Sequence, residues 1–205
     1  MSNNMANIDA PFGFRQVGGL GSRPTSEGTS KYVIKSGYTG VIYAGDIVEF
    51  GAGTGEGGSA IAAGYVGEAA ATSSVRNVGI FNGCFYDDPT TGKPTFKNYW
   101  PGDVTVTNPS AGATAFVYDN PDDLFEVQAN GTLVRATVGR AVDMGYTAGS
   151  TINGRSKEEL DVTPGADLAL RVIRISGDPS NSDIATANAN WIVKFNQHIY
   201  YNYST

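Results

Sequence analysis

The chain alternates short apolar runs with tight polar turns, at a spacing that suits strands. KYVIK (Lys31–Lys35), TGVIY (Thr39–Tyr43) and DIVEF (Asp46–Phe50) are three such runs, separated by SGY and AGD turns. GAGTGEGGS (Gly51–Ser59) follows as a loop, and Val75–Tyr86 is the next strand region. DDPTTGKP (Asp87–Pro94) predicts a hairpin turn into Thr95–Trp100, with Pro and Gly fixing the bend. Beyond the PGD turn come Val104–Thr107, the NPSAG turn, AFVYD (Ala115–Asp119), NPDD (Asn120–Asp123) and LFEVQ (Leu124–Gln128). In LFEVQ, Phe125 and Val127 point one way and Glu126 and Gln128 the other, the period of a strand with one buried face. The same alternation puts Trp191, Val193 and Phe195 on one face of the last strand, with Lys194, Asn196 and His198 opposite.

Asn130–Gly131 predicts a hairpin between LFEVQ and TLVRATVGRAVDM. Leu168–Ser176 is apolar on both faces, as in a central strand covered on both sides. Helix is confined to a turn or two near Asp183–Asn188. About a dozen short strands punctuated by turns imply an all-β fold, a β-sandwich or β-barrel of jelly-roll or β-tulip-like form. No strand order follows from the sequence.

Residues 1–30 break this pattern. Their apolar residues are isolated, and Pro11 and Pro24 bracket a glycine-rich run. The expected organisation is an extended N-terminal arm over 1–30 and a β domain over 31–205. The arm reads either as a loose terminus or as a tether anchored on a neighbouring protein by Phe12, Phe14 and Arg15.

Composition narrows the function. Charged residues make up only 17% of the chain, glycine is abundant at 27 residues, and the net charge is −6. An acidic surface repels phosphate backbones and argues against nucleic-acid binding. No apolar run reaches the length of a membrane span, and no signal-peptide pattern opens the chain. Single residues of cysteine (Cys84) and histidine (His198) exclude an internal disulfide and a Cys/His zinc site. Cys84 lies in an apolar strand and is expected to be a buried structural thiol. His198 is expected to be a solvated strand residue.

Candidate chemistry is thin. Gly53, Gly55 and Gly58 form a G-x-G-x-x-G, but Gly64 and Gly67 break any following helix, so no dinucleotide site is expected. Asp87, Asp88, Asp119, Asp122, Asp123 and Glu126 supply oxygen ligands, yet their spacing matches no EF-hand loop, and turn chemistry accounts for them. No nucleophile motif accompanies His198. The expectation is a non-enzymatic protein with no catalytic residue, no cofactor and no metal. The tyrosines offer large rings with polar tips. Tyr99, Trp100, Tyr200, Tyr201 and Tyr203 are the candidate oligomer contacts.

The stretch VGIFNGCFYDDPTTGKPTFKNYWPGDVTVTNPSAGATAFVYDNPDDLFEVQ (Val78–Gln128), with LALRVIRISGDP (Leu168–Pro179) and WIVKFNQHIY (Trp191–Tyr200), resembles tailed-bacteriophage virion proteins encoded near the major capsid gene. YAGDIVEF (Tyr43–Phe50) also resembles the early strand of the small β-tulip decoration proteins. The resemblance implies a capsid decoration, or cement, protein. It would be made in the host cytoplasm and sit on the capsid exterior. Its partner would be the major capsid protein, and it would itself be a trimer. The arm could add a strand to a capsid sheet edge. The alternative is a receptor- or carbohydrate-binding β module of a tail or fibre.

Overall fold

The computed structural model describes residues 6–21, 28–51, 54–55, 58–70, 76–107 and 112–201. The fold is all-β. Its strands are β1 (Arg15–Gly19), β2 (Ser30–Lys35), β3 (Ile42–Tyr43), β4 (Ile47–Phe50), β5 (Val66–Glu68), β6 (Asn77–Asp87), β7 (Pro94–Lys97) and β8 (Tyr99–Trp100). They continue as β9 (Gly112–Tyr118), β10 (Asp123–Gln128), β11 (Ala141–Val142), β12 (Met144–Gly145), β13 (Glu159–Leu160), β14 (Leu170–Ile175) and β15 (Asn190–Phe195). Among the described residues, the one helical element is a single 3-10 turn at Arg135–Thr137.

Two antiparallel sheets dominate. One runs β2-β9-β6-β4-β5, with β7 pairing beyond β4 on the far half of the long strand β6. It curls until β5 lies beside β2, and Tyr32 and Phe50 pack edge-to-face across its interior at 5.5 Å. The other sheet is open, in the order β1-β10-β15-β14-β11. Small ladders join β3 to β8 and β12 to β13.

Each sheet owns a core. Ile34, Val48, Phe81, Cys84, Ala115 and Val117 fill the curled sheet, closed by Trp100 and Tyr86 packed edge-to-face at 5.6 Å. Phe125, Val127, Trp191, Val193 and Phe195 form the second core on the open sheet. Period-2 alternation links the two layers. Ile47, paired with Ile80, faces the open sheet, whereas the adjacent Val48 faces the curled interior. Bulges let the eleven-residue β6 serve both, since Val78 and Asn82 are extra residues against β4 and β9 respectively.

Several expected features are present. The Asp87–Pro94 segment joins β6 to β7 as a hairpin. Trp191, Val193 and Phe195 share the buried face of β15. Other features differ. Asn130–Gly131 makes no hairpin, because β10 takes β1 and β15 as neighbours and Asn130 N–H bonds instead to Leu160 O at 3.0 Å. Val104–Thr107 forms no ladder, and Asp183–Asn188 is a set of turns rather than helix. Strand β14 is internal but buried on one face only. Its continuous apolar pattern comes from a bulge at Ile173, and Arg171 and Arg174 face outward.

The arm expectation is also corrected over its described part. Residues 15–19 are the edge strand β1 of the open sheet, and Phe14, 3% exposed, belongs to the second core. The preceding residues are held by polar side chains. Gln128 accepts from Ala10 N and donates to Ile8 O, both at 2.9 Å. Asn7 donates to Asp183 O and Ala187 O at 2.8 Å each. Polar anchors of this kind leave no hydrophobic periodicity to read. Residues 1–5 and 22–27 of the expected arm lie outside the described residues.

Candidate interaction surface

The open sheet covers only part of the outer face of the curled sheet. Beyond Ile80 and Tyr118 that face is solvent-exposed and aromatic. Residues paired across a ladder share a face, so the pairs Phe85–Phe96, Phe85–Thr114 and Gly83–Phe116 place Phe85, Phe96 and Phe116 together. Phe96 is 60% exposed, and its ring lies 6.0 Å from that of Phe116. Gly83 makes this possible, since at φ +140° a Cβ there would lie 2.7 Å from the Phe96 ring. The neighbouring strand adds Lys31, opposite Phe116, and Lys35, opposite Gly112. Both lysines are exposed on the same face. Two residues past Phe96, Asn98 donates to Asn153 O at 2.7 Å and pins the turn that carries Ile152, which is 98% exposed. Exposed phenylalanines on a rigid sheet beside a held aliphatic knob form an adhesive surface.

The expected arm anchors split. Phe12 and Arg15 meet, with the guanidinium 4.9 Å from the ring centroid. They line a cleft of about 280 Å³ with Asn82, Tyr118 and Arg155, between β1 and the β6 bulge. Arg15 also pairs with Glu126. Phe14 is a core residue that reaches the cleft only with its last few per cent of exposed surface.

The expected oligomer contacts split as well. Trp100 is fully buried, and its Nε1–H donates to Tyr38 O at 3.0 Å, so it presents nothing to a partner. Tyr99 is half-buried and stacks on Tyr43 at 6.1 Å, with Lys97 Nζ over its ring. Tyr200 and Tyr201 are exposed. The Tyr200 hydroxyl lies 2.7 Å from that of Tyr32, and Tyr201 donates to Asp122 at 2.6 Å. Tyr203 lies outside the described residues. Phe85, Phe96 and Phe116 went unselected in the sequence because a phenylalanine within a strand pattern reads as core. The available signal was their phase, which is opposite to that of Cys84 and Ala115.

His198 is buried rather than solvated. Its Nδ1 accepts from Tyr200 N–H at 3.2 Å, so the proton sits on Nε2 and is donated to Val78 O at 2.7 Å. Burial lowers its pKa. Cys84 is buried as expected, and burial pushes its thiol up to about 12, which suppresses the reactive thiolate.

A group of buried acids sits where the β3–β4 turn meets the 154–158 segment and β5. Asp46 accepts from Tyr43 N–H at 2.6 Å and from Ser156. Glu158 accepts from Ile47 N–H at 3.0 Å, and Tyr146 is hydrogen-bonded to Glu68. Burial, reinforced by the Glu68 charge, pushes the Asp46 carboxyl up to about 7. The N-terminal segment closes this junction through Phe14 N–H to Gly45 O at 2.9 Å.

Of the G-x-G-x-x-G, Gly55 and Gly58 lie in a loop ahead of β5, and Gly53 is outside the described residues. Among the described residues no group of three or more acidic, His or Cys side chains is arranged to hold a metal ion. No helix among them is long and apolar enough to cross a membrane. No protein-family model, no curated protein sequence and no solved structure matches the chain.

Proposed function

We propose that this chain is a virion structural protein, a capsid decoration protein that adheres to the major capsid protein lattice and stabilises the head. The observation that carries this reading is the pair of exposed rings, Phe85 and Phe96, with half-buried Phe116 beside them on the outer face of the curled sheet. The resemblance of Val78–Gln128 to virion proteins supplies the partner. Lys31 and Lys35 on the same face suit a capsid surface whose apolar patch is rimmed by carboxylates. Attachment of a ligand that binds only the assembled lattice stabilises that lattice by mass action. Self-association as a trimer on the capsid exterior would draw on the exposed rings of Tyr200 and Tyr201.

The test is co-sedimentation of purified protein with undecorated capsids. The Phe85→Ser, Phe96→Ser pair removes the rings from an exposed surface, so the fold is expected to survive. Capsid occupancy is expected to fall at least about tenfold, as for loss of a central aromatic contact. Undiminished occupancy for the double variant, or no binding by the parent protein, would reject the reading.

A further inference from the structure

A second, smaller feature lies away from the aromatic face and is independent of that reading. At the edge of the open sheet a cavity of about 120 Å³ is walled by Ile173, Ile175 and Ile184 and bounded by Trp191. Val138, Arg135 from the 3-10 turn and Arg174 from β14 complete its lining. The bulge at Ile173 is what brings both this isoleucine and Arg174 to it.

The polar inventory is one-sided. Trp191 is 1% exposed, and its Nε1–H has no acceptor among the described residues. A buried indole N–H normally finds a partner, and leaving it unbonded costs stability. Neither guanidinium is ion-paired among the described residues. Arg174 makes only a 3.5 Å contact to Ile175 O. No carboxylate lines the cavity. In a chain with net charge −6, a pocket whose polar side chains are all donors, two of them cationic, selects its ligand by charge.

We propose that this pocket binds an aliphatic carboxylate: a small branched hydrocarbon body enters between the isoleucines and the carboxylate meets Arg135, Arg174 and the Trp191 indole. A hydrocarbon of this size matches the volume, the isoleucine walls match its surface, and a carboxylate accepts from all three donors without offering a proton in return. Two sources carry that chemistry, a free short branched acid and the C-terminal leucine of a polypeptide.

The chain has two tryptophans, so a proton–nitrogen correlation spectrum shows two indole signals. Trp191→Phe assigns them, and Trp100, bonded to Tyr38 O, is the internal control. Isocaproate, isocaproamide and leucine-terminated peptides with free or amidated ends are titrated in turn. The Trp191 signal is expected to move downfield with the acid while that of Trp100 stays, and the amide is expected to bind about tenfold more weakly. Arg135→Gln with Arg174→Gln is expected to weaken the acid by a similar factor. Both side chains are exposed, and an unmoved Trp100 signal verifies the fold. Binding of the free-ended peptide but not the acid assigns a polypeptide source, and the reverse assigns a small acid. A Trp191 signal unmoved by acid and peptide alike, equal affinity for acid and amide, or undiminished binding by the arginine variant would overturn the proposal.

Discussion

Asp46 holds its proton in the folded protein at pH values where an ordinary aspartate has lost it. Its pKa is raised from 3.8 to about 7, mainly by burial. The native state therefore binds more protons than the unfolded chain between those values, and stability falls as pH rises from about 4 to about 7. Asp46→Asn keeps an acceptor for Tyr43 N–H and removes the titration. The variant is expected to flatten the decline and to gain on the order of a few kcal/mol at pH 8. Urea midpoints measured across this range check it, and an unchanged slope would show that Asp46 is not the group responsible. His198 acts with the opposite sign. Its pKa is lowered, so its contribution is present above the ordinary histidine range and is lost as pH falls through it. The Asp46→Asn protein should keep that acid limb. The sequence located Cys84 correctly, since a thiol inside an apolar run has one common environment. It misplaced His198, because strand alternation says which side a ring points to but not whether the chain end folds back over it.

At the scale of elements, what the sequence made visible is the set of short apolar runs bounded by turn residues. β4 falls within a predicted run, and β2, β6, β10 and β15 each overlap one, with ends that differ by a residue or more. The curled and open sheets could not be told apart, because register between distant strands is decided by packing that no local pattern records. β1 was missed for a different reason. It is held to β10 by backbone pairing and by the ion pair of Arg15 with Glu126, while the segment before it is tied down by Asn7, Gln128 and Asn181. Of the adhesive face, the residues were legible but their exposure was not, since exposure is set by how far the open sheet extends over β6. One measurement separates a loose arm from an integral strand. Phe14→Ala is expected to destabilise the protein by about 3–5 kcal/mol, the usual effect of emptying an aromatic core site. Phe12→Ala, in an open cleft, is expected to cost under about 1 kcal/mol. Chemical denaturation of both variants checks this, and equal stability would return residues 6–14 to the status of an appendage.

For the whole molecule, the turn Asn120–Asp123 carries the chain from β9 of the curled sheet directly into β10 of the open one. The sheets therefore share their chain, and Ile47 and Ile80 of the curled sheet pack into the core of the open one. A single cooperative unfolding transition is expected, with the Trp100 and Trp191 environments lost together although they report on different cores. Two separated transitions in fluorescence and near-ultraviolet dichroism would show that the layers unfold independently. The position of β15 sets a timetable. It follows every other described strand along the chain, yet it lies at the centre of the open sheet, with β10 on one side and β14 on the other. While the ribosome is still extending the chain, those two neighbours have no strand between them, and the Phe125 and Val127 side chains wait for Trp191 and Phe195. The open sheet can close only after Phe195 has left the exit tunnel. Until then the nascent protein carries unpaired strand edges in a crowded cell, and its yield will depend on how quickly β15 arrives.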